Sequence, residues 1–213
     1  MVLREKVYQV IKDRIINGQY QPGQPLNEKE ITEELQVSRT PFREAINALN
    51  EENLVQIFAN RGIFVREITA KDLANSFEIR FLLEPYVTRI ACLRMPDSVI
   101  RNLVERCQNC LATGYRDMLE EDEYYHQTLL QYTDNCQLAK IMRGLYEQNR
   151  MQVAMFDAAE KGLVSDRRKE AAVASIQEHL GILTYIAKRD AEGAAQATEA
   201  HLIEAQKRVV TYQ

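Results

Sequence analysis

The chain has three histidines in 213 residues, His126, His179 and His201, and the first stands one helical turn beyond an aspartate, Asp122. On a helix the i, i+4 spacing puts Asp122 and His126 on one face. His179 and His201 lie 22 residues apart across a break at Lys188–Asp190. An antiparallel helical hairpin turning at that break brings both to one height. Taken singly, each histidine reads as an ordinary core or surface residue. Taken together, one carboxylate and three imidazoles from three helices make a ligand set for a divalent transition metal.

Those side chains need helices to carry them. Beyond Thr69 the sequence runs in long amphipathic stretches with short breaks, which predicts about six helices near 71–94, 97–112, 117–133, 136–160, 166–188 and 190–211. The preceding segment has another character: three of the five prolines and the only convincing strand patterns fall there. A boundary close to residue 69 therefore separates a small mixed domain, 1–68, from an all-helical one, 69–213. Apolar and charged fractions of 46% and 27% are those of a globular chain, and no apolar run approaches membrane-spanning length. The N-terminus lacks a signal-peptide pattern, so the expected location is the cytoplasm. In that compartment Cys92, Cys107, Cys110 and Cys136 read as buried, chemically silent thiols.

The first domain follows from its punctuation. Val7, Val10, Ile11 and Ile15 give a first helix an apolar face, and Gly18 can end it. QPGQPL is a turn. Asn27 caps a second helix with Glu30 three residues on, and Ser38 caps a third in which Pro41 occupies the first turn. LVQIF and GIFV then make two strands around Asn60 and Arg61. Three helices with a tight break between the second and third, followed by a two-stranded wing, form a winged helix-turn-helix. The fold class is thus mainly α: this winged module plus an antiparallel helical bundle.

Arg39 and Arg43 project from one face of the third helix, where guanidiniums suit guanine O6 and N7 in a major groove. Ser38, Thr40 and the helix N-terminal amides suit phosphate oxygens, and Arg61 with Gly62 at the wing tip suits the minor groove. The plainer alternative pairs Arg39 and Arg43 with Glu44 or with solvent. Residues 1–68 carry nine Lys/Arg against ten Asp/Glu, so one such domain lacks the bulk positive field that drives DNA binding. Two domains on a palindromic operator would offset that weakness, which predicts a homodimer.

The segment from Ile11 to Val65 resembles the DNA-binding domain of GntR-family transcription regulators. The resemblance is carried by Gly18, Pro22, Gly23 and Leu26 in the connection, by the SRTP-x-REA run from Ser38 to Ala45, and by Arg61, Gly62 and Val65 in the wing. Phe42, Asn47 and Asn53 depart from the usual residues. The phrases FEIRFLLEPYVTRIA, DEYYH and IQEHLGIL resemble the FCD effector domain of the FadR branch, over about residues 71–208. That resemblance implies base contacts from Arg39 and Arg43, phosphate contacts from Ser38 and Thr40, and a wing contact from Arg61 and Gly62. It implies a metal held by Asp122, His126, His179 and His201, with zinc first and nickel, manganese or iron as alternatives. It also implies a small carboxylate effector completing the coordination. Arg80 is the expected second anchor for that anion, unless it pairs with Glu84 four residues on. The implied function is a ligand-responsive regulator, a repressor by the commoner arrangement, and not an enzyme. A metal-dependent hydrolase, or a purely structural metal with another effector, are the competing readings.

Overall fold

A computed structural model describes residues 3–112, 114–159 and 166–210, with the backbone only at 154–159 and 210. Its elements, in chain order, are α1 (Leu3–Ile16), β1 (Pro25–Leu26), α2 (Glu28–Leu35), α3 (Arg39–Glu51), β2 (Val55–Phe58) and β3 (Gly62–Val65). They continue as α4 (Ala70–Arg94), α5 (Asp97–Cys110), α6 (Tyr115–Gln131), α7 (Cys136–Ala159), α8 (Asp166–Ala187) and α9 (Ala191–Val210). Two compact units result: Met1–Thr69 with Glu147–Leu163, and Ala70–Tyr146 with Val164–Gln213. The breaks expected at Thr113 and Gly162, and the expected ends at 160 and 211, lie outside the described residues.

The first unit is a winged helix-turn-helix. Asn27 Oδ1 accepts from the backbone N–H of Lys29 at 3.0 Å and of Glu30 at 3.4 Å, while its amide donates to the Glu30 carboxylate at 2.8 Å. This reciprocal cap satisfies donors that α2 would otherwise leave open. The break to α3 uses Gln36 in the left-handed region at φ 53°, and Asn53 at φ 60° ends α3 in the same way. The sheet has three strands in the order β1-β3-β2, all antiparallel. QPGQPL is more than the expected turn: Pro25 and Leu26 pair with Phe64 and Ile63. A two-residue strand has no periodicity of its own, because it exists only through its partner. Gly23, at φ 73°, lets the chain fold back so that its N–H reaches the Val65 carbonyl at 2.9 Å.

Val7, Ile11, Ile15, Phe42, Ile46, Leu49, Leu54 and Val65 fill the core under the wing, and Met151 of α7 joins them. Lys12 of α1 holds Glu147 at 2.8 Å, and Arg150 donates to Asn17 at 3.1 Å. Residues 147–153 thus bury part of their surface in the winged unit, although helical periodicity alone gives no sign of it.

The second unit is a helical bundle with its own core, in which Leu103, Met142, Leu183, Ile186 and Ala194 are fully enclosed. Cys92, Cys107 and Cys110 are buried within it, and burial pushes the Cys107 thiol up to about 12. Cys136 corrects the expectation of four buried thiols: it is exposed, as the first residue of α7. Among the described residues no helix is long and apolar enough to cross a membrane.

Phe42 is fully buried at the centre of the winged unit. Phe42→Ala should cost about 3–5 kcal/mol of that unit's stability. Urea denaturation of the full chain, followed through the tyrosine signal, is the check.

Candidate metal centre and DNA-reading face

Three helices of the bundle deliver the polar residues that interrupt its core. Asp122 and His126 come from α6, His179 from α8 and His201 from α9. The chain turns from α8 to α9 through Arg189 at φ 58°, with the Asp190 N–H on the Tyr185 carbonyl at 3.0 Å. That tight hairpin lets His179 and His201 meet. The ring nitrogens of His126, His179 and His201 lie within 4.8 Å of one another, and all three residues are buried. Asp122 Oδ2 is 4.0 Å from His126 Nε2, and its Oδ1 is 3.8 Å from His179 Nε2.

Neighbouring groups orient these side chains. Ser175 donates to Asp122 Oδ1 at 2.9 Å. The Tyr125 ring stacks on His179 at 3.9 Å between centroids, fixing the imidazole plane. Glu178 Oε2 sits 2.6 Å from His201 Nδ1, and Arg208 grips both carboxylate oxygens of Glu178 at 2.7 Å each. Burial alone would push the Glu178 carboxyl up, but the hydrogen bonds from Arg208 and His201 bring it down to about 2. An ionised carboxylate on Nδ1 keeps that proton in place and leaves Nε2 of His201 as the lone-pair donor, the usual support for a metal-ligating histidine.

Burial lowers the pKa of His126, against the opposing pull of Glu84 and Asp122. His179 is held well below the usual range by burial and then by the neighbouring His201 and His126. Both rings are therefore neutral and present lone pairs. His179 goes further, since neither of its buried ring nitrogens has a hydrogen-bond partner. A buried imidazole without partners carries the full desolvation cost of its nitrogens. A cation bound by these lone pairs would remove that cost, so the residues present fit a divalent transition metal.

A small cavity lies beside the histidines, with His126, His201, Glu84, Thr88, Thr198 and Tyr146 in its wall. Arg80 is next to this region but is not free. Its Nε donates to Glu84 Oε1 at 2.5 Å, and both side chains are buried. Of the two expectations for Arg80, the ion pair with Glu84 is present, and it lies inside the bundle rather than on a surface.

On α3, the side chains of Arg39 and Arg43 are 79% and 66% exposed and project from the same face. Their acidic neighbour is Glu28 of α2, whose Oε1 lies 3.7 Å from Arg39 Nε and 3.5 Å from Arg43 Nε; the sequence reading had weighed Glu44 instead. Ser38 stands at the N-cap of α3 but makes no cap hydrogen bond with its hydroxyl. Thr40 and Arg61 are exposed, and Gly62 adopts φ 111° at the end of the wing turn. Glu28, Ser175 and Arg208 were absent from the sequence reading, because no spacing ties them to the residues they hold.

Residues 3–65 match the description "Bacterial regulatory proteins, gntR family", and residues 75–204, more than half of the chain, match the FCD domain. The chain belongs to the GntR family. The Nta operon transcriptional regulator of Aminobacter aminovorans is 30% identical over 88% of this chain and 85% of its own length. The HTH-type transcriptional repressor RspR of Escherichia coli K12 is 30% identical over 95% of this chain and 86% of its own. The fold is shared with a GntR regulator from Rhodococcus sp. RHA1, at TM-score 0.80, 23% identity and 99% coverage of both chains. It is shared also with E. coli McbR/YncC, at TM-score 0.81, 18% identity and 99% and 98% coverage. This GntR protein is therefore a DNA-binding transcriptional regulator with an FCD effector domain, in a family of regulators rather than enzymes.

The depressed histidines make the stability of the metal-free regulator pH-dependent. In the unfolded chain His126 and His179 take up protons below about 6.5, whereas the folded state resists protonation. Stability is fully present above that value and falls as pH drops from 7.5 to 5.5. Thermal melts of chelator-treated protein should show this fall, and His179→Leu should flatten it.

Proposed function

We propose that this regulator senses a small carboxylic acid at a divalent ion, zinc first, held by Asp122, His126, His179 and His201. The observation that carries this reading is the unpartnered, buried His179 between two other imidazoles. A divalent ion bound there supplies a Lewis-acidic centre for which a carboxylate oxygen is a suitable donor. The chain's own residues do the rest. Glu178 and Ser175 orient two of the ligands, and Tyr125 and Tyr146 wall the site from water.

On the DNA side, Arg39 and Arg43 read bases, Ser38 and Thr40 hold phosphates, and Arg61 with Gly62 enters from the wing. The free Ser38 hydroxyl and the outward guanidiniums support these roles. Ile79, Leu82, Tyr86 and Leu93 form an exposed apolar stripe along α4, at spacings of three, four and seven residues. Such a stripe supports a homodimer that presents two winged modules, residues 1–68 of each chain, to a palindromic operator. The bundle from residue 69 onward is then the sensing and pairing domain, acting in the cytoplasm. Ligand shifts the bundle between geometries of different operator affinity, and repression relieved by ligand accords with the relative named a repressor.

The test takes a duplex selected by the full-length protein from a randomised library. Arg39→Ala and Arg43→Ala should each lower preference for that duplex over a scrambled one by roughly 10-fold or more. Zinc-loaded protein should gain thermal stability with members of a carboxylate panel, and His179→Ala/His201→Ala should abolish the gain. Zinc stabilisation with no further effect of any acid would make the metal structural and place the effector elsewhere.

A further inference from the structure

The charges around the cavity restrict which acids it can hold, given the metal-bound carboxylate of the preceding reading. Arg80 is the cation nearest to a second anchor, yet its charge is already matched. Its guanidinium bonds Glu84, lies 4.9 Å over the Phe77 ring and 5.9 Å from the Tyr146 ring, and the pair is 5% and 3% exposed. Of the two partners it is Glu84 that lines the cavity. Arg208 is matched in the same way by its two-pronged grip on Glu178. Coordinating imidazoles are neutral. A divalent ion with Asp122 as its acidic ligand therefore leaves one positive charge unbalanced. One carboxylate cancels it.

The rest of the wall combines apolar side chains, Val87, Leu129 and Ile182, with one carboxylate and two hydroxyls. Glu84 presents a carboxylate, and the Thr88 and Thr198 hydroxyls share a hydrogen bond of 3.0 Å beside it. A ligand carboxylate placed there would face Glu84 in a region of low dielectric, where like charges repel strongly. A ligand hydroxyl or amine would instead donate to Glu84. The enclosed space is small, so an acid that enters it must be short.

We infer that the cavity selects a short monocarboxylate bearing a hydrogen-bond donor, a hydroxyl above all, and rejects dicarboxylates through Glu84. Arg80 acts on specificity indirectly, by keeping Glu84 ionised and in place. The pair is thus a filter against second carboxylates, where an unpaired arginine would attract them.

A matched set of four-carbon acids tests this by calorimetric titration of the zinc-loaded, full-length protein. Butanoate, 2-hydroxybutanoate and 3-hydroxybutanoate vary the hydroxyl; 2-hydroxybutanedioate adds a second carboxylate. One of the hydroxybutanoates should bind about 10-fold more tightly than butanoate, the scale of a hydrogen bond to a charged group. The dioate should bind at least about 10-fold more weakly than that hydroxybutanoate. Glu84→Gln should narrow both gaps while the zinc-induced thermal shift persists. A dioate that matches or exceeds the hydroxybutanoates on the wild-type protein overturns the filter and leaves the carboxylate reading intact. Zinc binding with no response to any of the four acids overturns both.

Discussion

Everything in the bundle turns on three imidazoles buried where a helical protein would ordinarily place leucines. Neutral histidine nitrogens still need partners, and His179 has none inside the protein. Such a cluster is costly for a metal-free fold, and the same feature that weakens the core is the one that could hold a cation. The surrounding polar residues are consistent with that purpose. Glu178, clamped by Arg208, sets the proton on His201, and Ser175 steadies Asp122. The Arg80–Glu84 pair then adds charge to the cavity wall without adding net charge.

A parallel economy governs the winged unit. Its acidic and basic residues nearly cancel, so on the proposed reading DNA recognition would rest on a few exposed guanidiniums rather than on a broad field. Glu28 lies near the Nε atoms of both Arg39 and Arg43, and the two arginine side chains remain largely exposed. A carboxylate in that position weakens attraction to phosphate in general, while holding the two side chains proposed to read bases.

Much of this was legible from residue order because the signals were local. Asn27 with Glu30, Ser38 before Pro41, and the wing around Gly62 each specify a cap or turn within a few positions. The histidines were legible because a hairpin at Arg189–Asp190 relates sequence distance to height along paired helices. What escaped depends on contacts between distant segments. The short strand at Pro25–Leu26 exists only against β3, Met151 belongs to a core made by residues far from it in the chain, and Glu28 meets Arg39 and Arg43 only once α2 and α3 have packed. Whether Cys136 is buried likewise depended on which turn of α7 the bundle covers.

The most direct measurement is anomalous X-ray scattering at the zinc edge from crystals of the zinc-loaded protein. A single strong peak is expected among the imidazoles of His126, His179 and His201, within bonding distance of Asp122. A zinc peak elsewhere, with the three imidazoles found in hydrogen bonds to one another or to water, would contradict the proposed site.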